Sequence, residues 1–331
     1  MKAVQGERGR EARAWLEGGS SGWLRGLART ARGNIAFILL ITIGLLASLL
    51  SDVFLTPQNL VNILSASAVI GIIALGQTML IISGNFDMSV ASVLGFAGIV
   101  AVATQRLGLL PSILLALLGG VIVGAVNGLI VTRAKANPFL VTLGTQSFVY
   151  AIALMATQSK TLYSEIPAFN ILGQGRIGRI PIAVILFLVL ALMLQIVLRN
   201  TVYGRYLYAI GQNKEASRLA GIPVDRVLVS TFILCSLLAA LGGIVMTSRL
   251  NSTVANAGFG FDFESIIAVV LGGTSLFGGS GGALLTVAGV LVLGVLNNTT
   301  ILLGVPYEGQ FIVKGVVFLA VVGLDSFVKR R

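Results

Sequence analysis

The stretch GRYLYAIGQNKEASRLAGIPVDR, residues 204–226, is a polar interruption with more basic than acidic residues between two long apolar runs. A segment of this polarity does not lie in hydrocarbon, because its polar groups would lose their hydrogen bonds to water. We therefore expect it to lie in water between two membrane spans. On either side of it, long apolar runs alternate with polar connections, which predicts an all-α protein that crosses a membrane many times.

Within this stretch, residues 213–221 predict a short amphipathic helix. Asn213 is a favourable N-cap residue, and Gly221 followed by Pro223 is a typical stop. One face carries Ala216, Leu219 and Ala220, and the polar side chains lie elsewhere, namely Lys214, Glu215, Ser217 and Arg218. A helix of about two turns is too short to be stable alone. We therefore expect a partner surface to complete it.

Composition supports a membrane protein and excludes several classes of function. Apolar residues make up 56% of the 331 residues and charged residues 11%, whereas soluble domains carry about 25% charged residues. The net charge of +11 is distributed over the connections between apolar runs, so we do not expect nucleic acid as a partner. The chain has no His and one cysteine, Cys235, which excludes a His-based metal centre and an internal disulfide. No HExxH, paired-carboxylate or nucleophile motif is present, so we predict no catalytic site, metal or cofactor.

Ten apolar segments predict the membrane spans of a bilayer about 30 Å thick. They lie near residues 34–50, 59–83, 88–104, 110–131, 138–156, 181–199, 227–247, 263–273, 283–303 and 310–327. The segment 263–273 is too short for an ordinary span, so it predicts a half-helix or a re-entrant element. The chain thus divides into a basic tail, residues 1–33, and a transmembrane domain, residues 34–331, with a polar loop at 200–226. The tail is either a disordered leader or, near its end, an interfacial helix.

The distribution of Lys and Arg predicts the orientation. Most of the 23 basic residues fall on the side of the amino terminus, and those on the opposite side are Arg106, Lys160, Arg176, Arg179 and Arg249. Because cytoplasmic loops carry the excess of positive charge, we expect both termini and the loop 200–226 in the cytoplasm. The long segments 157–180 and 248–262 then face outward, either as a docking surface or as simple connections.

Two interruptions of the apolar pattern are candidates for a translocation path. In SGNFDMSVAS, residues 83–92, Asp87 would cost about 2.5–3.5 kcal/mol at full membrane depth. It is therefore either a path or hinge residue, or a cap of the next helix with Ser89 nearby. The second interruption, LGGTSLFGGSGG, residues 271–282, lacks the lysine of a phosphate loop and predicts either a break between half-helices or a flexible turn. The candidate path residues are Gln77, Phe86, Asp87, Ser89, Asn127, Gly273, Thr274 and Phe277.

Two further patterns concern packing and symmetry. Gly120, Gly124 and Gly128 recur at four-residue spacing, which predicts close approach of another helix rather than a site. The halves 59–157 and 227–328 each contain four spans, and the interruptions 83–89 and 272–282 fall at comparable positions. This arrangement is compatible with an inverted repeat that contains broken helices. Single polar residues within spans, such as Gln77, Asn127 and Lys314, are often only contacts between helices.

Four separated segments resemble the signature segments of one family, namely GQTMLIISGNFDMSVASVLG, ANPFLVTLGT, GRYLYAIGQNKEASRLAGIPVDRV and VVLGGTSLFGGSGG. The family is that of the permease subunits of bacterial ABC sugar importers, in the ribose, xylose and galactose class, and the resemblance extends from about residue 54 to the end. It implies a multi-pass subunit in the bacterial inner membrane that forms the path for a sugar. It also implies a second permease subunit, an extracytoplasmic solute-binding protein and cytosolic ATP-binding subunits that hydrolyse ATP. The residues implied to contact those ATP-binding subunits are Asn213, Lys214, Glu215, Ala216, Arg218, Leu219 and Gly221.

Other functions remain open on the sequence. The same architecture serves a permease for branched-chain amino acids or another small polar solute. A self-sufficient, ion-coupled transporter would use Asp87 and Lys314 to carry charge. Sugar sites often use indole rings, but both tryptophans, Trp15 and Trp23, lie in the tail. We therefore expect sugar recognition within the membrane to be weak and transient.

Overall fold

The computed structural model describes residues 36–329, so the predicted tail, residues 1–33, lies outside the described residues. The described part is mainly helical. Its helices are α1 (Ala36–Leu50), α2 (Pro57–Ile82), α3 (Val90–Ala103), α4 (Leu109–Arg133), α5 (Pro138–Thr157), α6 (Ile171–Gln174), α7 (Ile182–Asn200), α8 (Val202–Gln212), α9 (Lys214–Leu219), α10 (Val224–Leu250), α11 (Phe261–Leu271), α12 (Ala283–Leu302) and α13 (Tyr307–Lys329). The short strands are β1 (Leu162–Tyr163), β2 (Arg176–Ile177), β3 (Ile180–Pro181) and β4 (Ser252–Thr253).

Several of these helices have the length and composition of membrane spans. Six of the described helices are long and apolar enough to cross a membrane, namely α2, α4, α5, α7, α10 and α12. The helices α1 and α3 are shorter and apolar, and α11 has 11 residues. The prediction of an all-α polytopic membrane protein is confirmed. The segment 263–273, which was expected to be a half-helix or a re-entrant element, is mostly covered by the short helix α11. The ten predicted spans correspond to α1–α5, α7 and α10–α13.

Helix α2 lies at the centre of the bundle. In its most apolar 18-residue window, 89% of the residues are buried, and it packs against α7, α10, α11 and α12. Helices in lipid gain little from the hydrophobic effect, so close packing around small residues provides much of their association. Gly76 illustrates this, because a Cβ there would lie 2.9 Å from Cys235 Cα of α10. The central helix therefore leaves no room for side chains at such crossings.

The glycine repeat of α4 packs against α10, as predicted. A Cβ on Gly124 would lie 2.6 Å from Phe232 O and 2.7 Å from Ile233 Cα, and a Cβ on Gly128 would lie 2.8 Å from Val229 Cα. The atoms that it would meet belong to the backbone of α10, which does not yield as the tip of a side chain does. The repeat is therefore a packing surface.

We expect Gly124→Ala to lower the free energy of unfolding of the detergent-solubilised protein by about 1–3 kcal/mol, because the added methyl group forces α4 and α10 apart. The measurement is thermal unfolding, followed by light scattering or by size-exclusion chromatography. Gly44→Ala is the matched control, since no atom of residues 36–329 lies within 4 Å of a Cβ at that position of α1. Equal stability of the two variants would contradict the packing described here.

The two ends of the bundle differ in structure. One end carries α8 and α9 together with the last turn of α2 and the turn 272–282, and we call it the α9 end. There Gly279 N donates to Ile82 O at 2.8 Å. The other end carries α6 and two small antiparallel pairs, β1 with β4 and β2 with β3, and we call it the α6 end. Ser248 holds this end together, because its Oγ donates to Phe169 O and accepts from Gly173 N, both at 2.7 Å.

Two connections turn back into the bundle, and the short helices begin inside it. From the α9 end, residues 83–89 bring Asp87 beside Gln77 of α2, roughly 7 Å inside the end of that helix. From the α6 end, residues 251–260 lie along α3, where a Cβ on Gly258 would overlap Ala91 O and one on Gly95 would lie 2.8 Å from Ala255 O. Both close approaches require glycine.

The order of helices is repeated in the two halves. Helices α2–α5 have 26, 14, 25 and 20 residues, and α10–α13 have 27, 11, 20 and 23. The counterpart of the connection 83–89 is then 251–260 at the opposite end, as an inverted repeat requires. The expected equivalence of 83–89 with 272–282 was wrong, because these two segments meet at the α9 end.

The polar loop 200–226 contains two helices rather than the single one predicted. Helix α8 has 11 residues and buries Gly204, Leu207 and Ile210. Thr201 caps it by accepting a hydrogen bond from Gly204 N at 3.2 Å. The buried positions recur every three residues, so the apolar face of α8 is narrow. Because polar residues make up the rest of this segment, the sequence pattern did not predict a separate helix.

Candidate functional site

Helix α9 begins and ends as the sequence predicted. Asn213 Oδ1 accepts a hydrogen bond from Ala216 N at 2.9 Å, which is the expected N-cap. After the helix, Gly221 has a φ of +82°, a conformation that residues with a Cβ rarely adopt. Gly221 N donates to Arg218 O and Ile222 N donates to Ser217 O, both at 3.1 Å. The last carbonyls of α9 are therefore satisfied by a glycine turn.

The orientation of α9 leaves its apolar face outward. Ser217 is buried against the bundle, whereas Leu219 is 90% exposed and Ala216 and Ala220 are exposed. The Arg218 guanidinium lies 2.9 Å from Asp225 and 3.6 Å from Glu215, and these exposed pairs orient the side chain more than they stabilise the fold. The described bundle therefore does not cover the side of α9 that is expected to meet a partner.

A polar cavity of about 520 Å³ lies beside α9. It is bounded by the end of α2, the connection between α4 and α5, the end of α8, and α9 itself, and its charged lining residues are Lys135, Lys214, Glu215 and Arg218. Phe277, a predicted path residue in the turn 272–282, also lines this cavity and is 63% exposed. The structure thus places Phe277 with the predicted contact residues of α9.

The α9 end is joined by direct backbone contacts. A Cβ on Gly211 of α8 would overlap Ile82 O, and a Cβ on Gly278 would lie 2.9 Å from Gly211 O. Tyr208 OH donates to Gly281 O at 2.9 Å. Burial raises the pKa of the Tyr208 phenol, so it stays protonated as this donor. A displacement of α8 and α9 would therefore move the end of α2 and the turn 272–282.

A second polar group surrounds Asp87, which is fully buried. Its Oδ1 accepts from Ser89 N at 2.7 Å and from Ser89 Oγ at 2.6 Å. Its Oδ2 lies 3.4 Å from both Asn127 Nδ2 of α4 and Ser236 Oγ of α10. The predicted capping role is present in a limited form, because Asp87 binds the one backbone amide that directly precedes α3. The other contacts link separate helices.

Further amides and hydroxyls complete this group, which we call the Asp87 cluster. The Gln77 side chain donates to Asp87 O and accepts from Asp87 N at 3.1 Å, so both backbone groups of this non-helical residue are satisfied. Thr142 Oγ1 accepts from Met88 N at 3.0 Å, and Thr145 Oγ1 donates to Asn127 Oδ1 at 2.7 Å. Asn127 Nδ2 also donates to Ser89 Oγ at 2.9 Å.

The structure brings some of the predicted path residues together and separates others. Gln77, Asp87, Ser89 and Asn127 all belong to the Asp87 cluster. Phe86 packs on Phe139, with ring centroids 6.0 Å apart. Gly273, with a φ of +103°, and Thr274, which is 1% exposed, lie in the turn 272–282. Lys314 forms an ion pair with Glu264 between α13 and α11.

Three members of the Asp87 cluster were not predicted from the sequence, namely Thr142, Thr145 and Ser236. Thr142 and Thr145 lie one turn apart in an apolar helix and so share one face, which is a signal that could have been used. Ser236 gives no comparable signal, because a single serine in a long apolar helix is common. Which helix faces Asp87 is decided by tertiary packing.

Comparison with known proteins identifies the family. The family model described as "Branched-chain amino acid transport system / permease component" matches residues 59–322. The ribose import permease protein of Bacillus subtilis (strain 168) is 38% identical over 293 residues, which cover 87% of this chain and 91% of that protein. The D-allose transport system permease protein of Escherichia coli (strain K12) is 34% identical over 299 residues, or 89% of this chain and 91% of that protein.

A third relative is the fructose import permease protein of Rhizobium meliloti, which is 32% identical over 293 residues, or 85% of this chain and 81% of that protein. No solved structure matches the chain. The resemblance to sugar-importer permeases that the four sequence segments carry is confirmed by these relatives. The chain belongs to the family of permease components of the branched-chain amino acid transport system type, and it is a multi-pass membrane subunit of a transporter.

Proposed function

We propose that this chain is the membrane-spanning permease subunit of an ATP-binding-cassette importer and forms the path by which a sugar crosses a bacterial inner membrane. The observation that carries the proposal is α9, whose Leu219 is 90% exposed on a helix that is joined through backbone contacts to the end of α2. The sugars named for the relatives, namely ribose, allose and fructose, support this class of solute.

The proposed partners are two cytosolic ATP-binding subunits, an extracytoplasmic solute-binding protein and a second permease subunit. Cytosolic ATP-binding subunits, which would hydrolyse ATP, contact the α9 end through Asn213, Lys214, Glu215, Ala216, Arg218, Leu219 and Gly221. The excess of basic residues supports a cytoplasmic α9 end, with both termini on that side. An extracytoplasmic solute-binding protein docks on the α6 end, where residues 157–180 and 248–260 form one ordered surface. A second permease subunit completes the path.

The mechanism follows from the contacts at the α9 end. Movement of the ATP-binding subunits displaces α9 and α8, and Gly211 transmits the displacement to Ile82 and to the turn 272–282. The Asp87 cluster holds the connection 83–89 to α4, α5 and α10. The end of α2 therefore moves with the α9 end, while the Asp87 cluster serves as the fixed point. Four of the path residues proposed from the sequence belong to the Asp87 cluster, and three lie in the turn 272–282, namely Gly273, Thr274 and Phe277.

The test is uptake into proteoliposomes that contain this chain with ATP-binding and solute-binding proteins encoded near its gene. We expect uptake of at least one of D-ribose, D-allose and D-fructose that requires ATP and every subunit. ATP hydrolysis drives transport, so a non-hydrolysable ATP analogue should reduce uptake to background.

Two outcomes would contradict this proposal. Uptake by the purified chain alone under a proton or sodium gradient would indicate an ion-coupled transporter. ATP-driven uptake of leucine without uptake of any sugar would indicate an amino acid permease, the solute class named in the family description.

A further inference from the structure

A second cavity lies between the first turn of α3, the middle of α5 and the connection 251–260. Its volume is about 450 Å³, which falls in the range of about 300–1,000 Å³ typical of sites for small molecules. The lining residues that matter are Ser92 of α3, Gln146, Ser147 and Tyr150 of α5, and Asn256 and Phe259 of the connection 251–260. Gln146 lies roughly 12 Å from the α9 end of α5. The cavity is therefore near the middle of the bundle, where sites between broken helices occur.

An incompletely satisfied carboxylate is hydrogen-bonded to Gln146, one of the residues that line this cavity. Asp262, in the first turn of α11, is 5% exposed. Its Oδ2 accepts a hydrogen bond from Gln146 Nε2 at 3.1 Å. Within residues 36–329, no donor lies within hydrogen-bonding distance of its buried Oδ1. Leaving a buried acceptor without a donor is costly, and the few such groups in native proteins require an explanation.

The neighbouring charges do not provide that missing partner. Lys314 lines an adjoining cavity together with Asp262, but it pairs with Glu264, and both of these paired side chains are only 12–13% exposed. This adjoining cavity has a volume of about 540 Å³, and Phe259 lines both cavities. The donor that Asp262 Oδ1 lacks within residues 36–329 would then be supplied by a molecule that enters the site.

We propose that Asp262 and Gln146 form a binding site for a neutral polyhydroxylated solute, and this inference rests on the proposed sugar transport. A solute hydroxyl donates to Asp262 Oδ1. The side chains of Ser147 and Asn256, both exposed in the cavity, offer further donors and acceptors. The rings of Phe259 and Tyr150, which are 69% and 37% exposed, present apolar surface to the C–H face of the solute.

The composition of the site is typical of weak, transient binding of a solute rather than of high-affinity binding. It contains one carboxylate, small polar side chains and two partly exposed rings, with no indole. Ser147 and Asn256, which line the cavity, are exposed in the described part of the chain and would otherwise meet lipid. The second permease subunit of the proposed importer would separate these residues from lipid.

The first test compares variants of the complete transporter on a sugar and its monodeoxy derivatives. For the derivative that lacks the contacting hydroxyl, we expect wild-type uptake to fall about tenfold to a hundredfold, as for sites that pair a buried polar group with a substrate hydroxyl. Asp262→Asn and Gln146→Leu should lower uptake of the parent sugar by a similar factor and should reduce the discrimination to about threefold or less. The matched controls, Asp52→Asn and Gln58→Leu, lie in and near the exposed connection before α2 and should behave as the wild type.

The second test does not depend on the tolerance of Asp262 to substitution. Cys235 is the only cysteine of the chain and is fully buried, so an introduced thiol can be labelled selectively. We expect S147C in the complete transporter to react with a small charged methanethiosulfonate reagent. The transported sugar, at ten times its dissociation constant, should slow this reaction about tenfold. S159C, at the exposed end of α5, should react equally with and without sugar.

These outcomes separate the two proposals. Absence of sugar uptake by the wild-type transporter would contradict the proposed function itself. If sugar is transported but the variants retain wild-type discrimination, or S147C is not protected, the site at Asp262 is wrong and the proposed function stands. Protection of S147C by sodium ions and not by sugar would also contradict the proposal, because it would make Asp262 a cation ligand.

Discussion

Replacement of Asp87 by leucine is expected to remove most of the folded protein from the membrane. The carboxylate accepts hydrogen bonds from Ser89 N and Ser89 Oγ and faces Asn127 Nδ2. Leucine would leave these buried donors without an acceptor, at about 1–3 kcal/mol each. The sum, on the order of 5 kcal/mol, approaches the total stability of many proteins, about 5–15 kcal/mol. The measurement is the yield of monodisperse protein after solubilisation.

Asp87→Asn is the companion variant that separates a structural role from an ionic one. Its side-chain oxygen still accepts from Ser89, and its amide can donate to Ser236 Oγ, while one unfavourable contact with Asn127 Nδ2 appears. We expect a stability loss of about 1–2 kcal/mol and ATP-driven uptake within about threefold of the wild type. A folded Asp87→Asn protein that transports nothing would contradict this role and would support charge transfer through Asp87.

How much the sequence reveals about this cluster depends on the residue. The cost of an uncompensated carboxylate in a membrane marks Asp87 from the sequence alone, and Gln77 and Asn127 follow as polar residues in apolar spans. The geometry adds what the sequence does not contain, namely that Gln77 satisfies the backbone of Asp87 and that α5 and α10 supply Thr142 and Ser236. These pairings depend on helix packing, which hydropathy does not record.

The connection 251–260 shows a different limit of sequence reasoning. Hydropathy placed it, with Asp262, in an outer loop, because its polar residues interrupt the apolar pattern. The structure folds it along α3, where Gly95 and Gly258 permit close backbone contact. Asp262 therefore lies inside the bundle beside Gln146. Hydropathy measures the average cost of a segment in lipid, and it does not reveal that a re-entrant segment is shielded by protein.

Helix α9 was the best predicted element, because its signals are local. Asn213 and Gly221 act on neighbouring backbone groups, so the cap and the stop follow directly from the sequence. The apolar face proposed to meet a partner also follows from a local signal, since helical periodicity groups Ala216, Leu219 and Ala220. Gly211 and Ile82 are far apart in the sequence, so only the structure reveals that they are in contact.

Leu219→Asp is expected to reduce ATP-driven uptake by more than a hundredfold while the protein still inserts and folds. Leu219 is 90% exposed, so the substitution disturbs little packing among residues 36–329. In the proposed complex, Leu219 is buried against an ATP-binding subunit. Loss of that burial removes about 1.5–3 kcal/mol, and a buried unpaired carboxylate adds a larger penalty. The measurement is co-purification of the ATP-binding subunit together with uptake.

Two further variants distinguish the loss of a side-chain contact with the ATP-binding subunit from a change in the backbone conformation at the end of α9. Glu215→Ala removes an exposed side chain beside Leu219 and should weaken assembly or coupling to a smaller extent, up to about tenfold. Gly221→Val forces a β-branched residue to a φ of +82°, which costs roughly 1–2 kcal/mol and reorients the end of α9. We expect this variant to assemble but to hydrolyse ATP with little sugar uptake.

The control for these variants is Leu55→Asp, because Leu55 is 63% exposed in the connection between α1 and α2 at the other end of the bundle. It should retain assembly and uptake. Normal assembly and uptake of Leu219→Asp would contradict α9 as the contact, and reaction of Lys214 only with reagents outside the cell would place α9 on the wrong side of the membrane. If α9 neither bound an ATP-binding subunit nor faced the cytoplasm, the backbone contacts of Gly211 with Ile82 and Gly278 would have no movement of that subunit to transmit, and the proposed mechanism would fail.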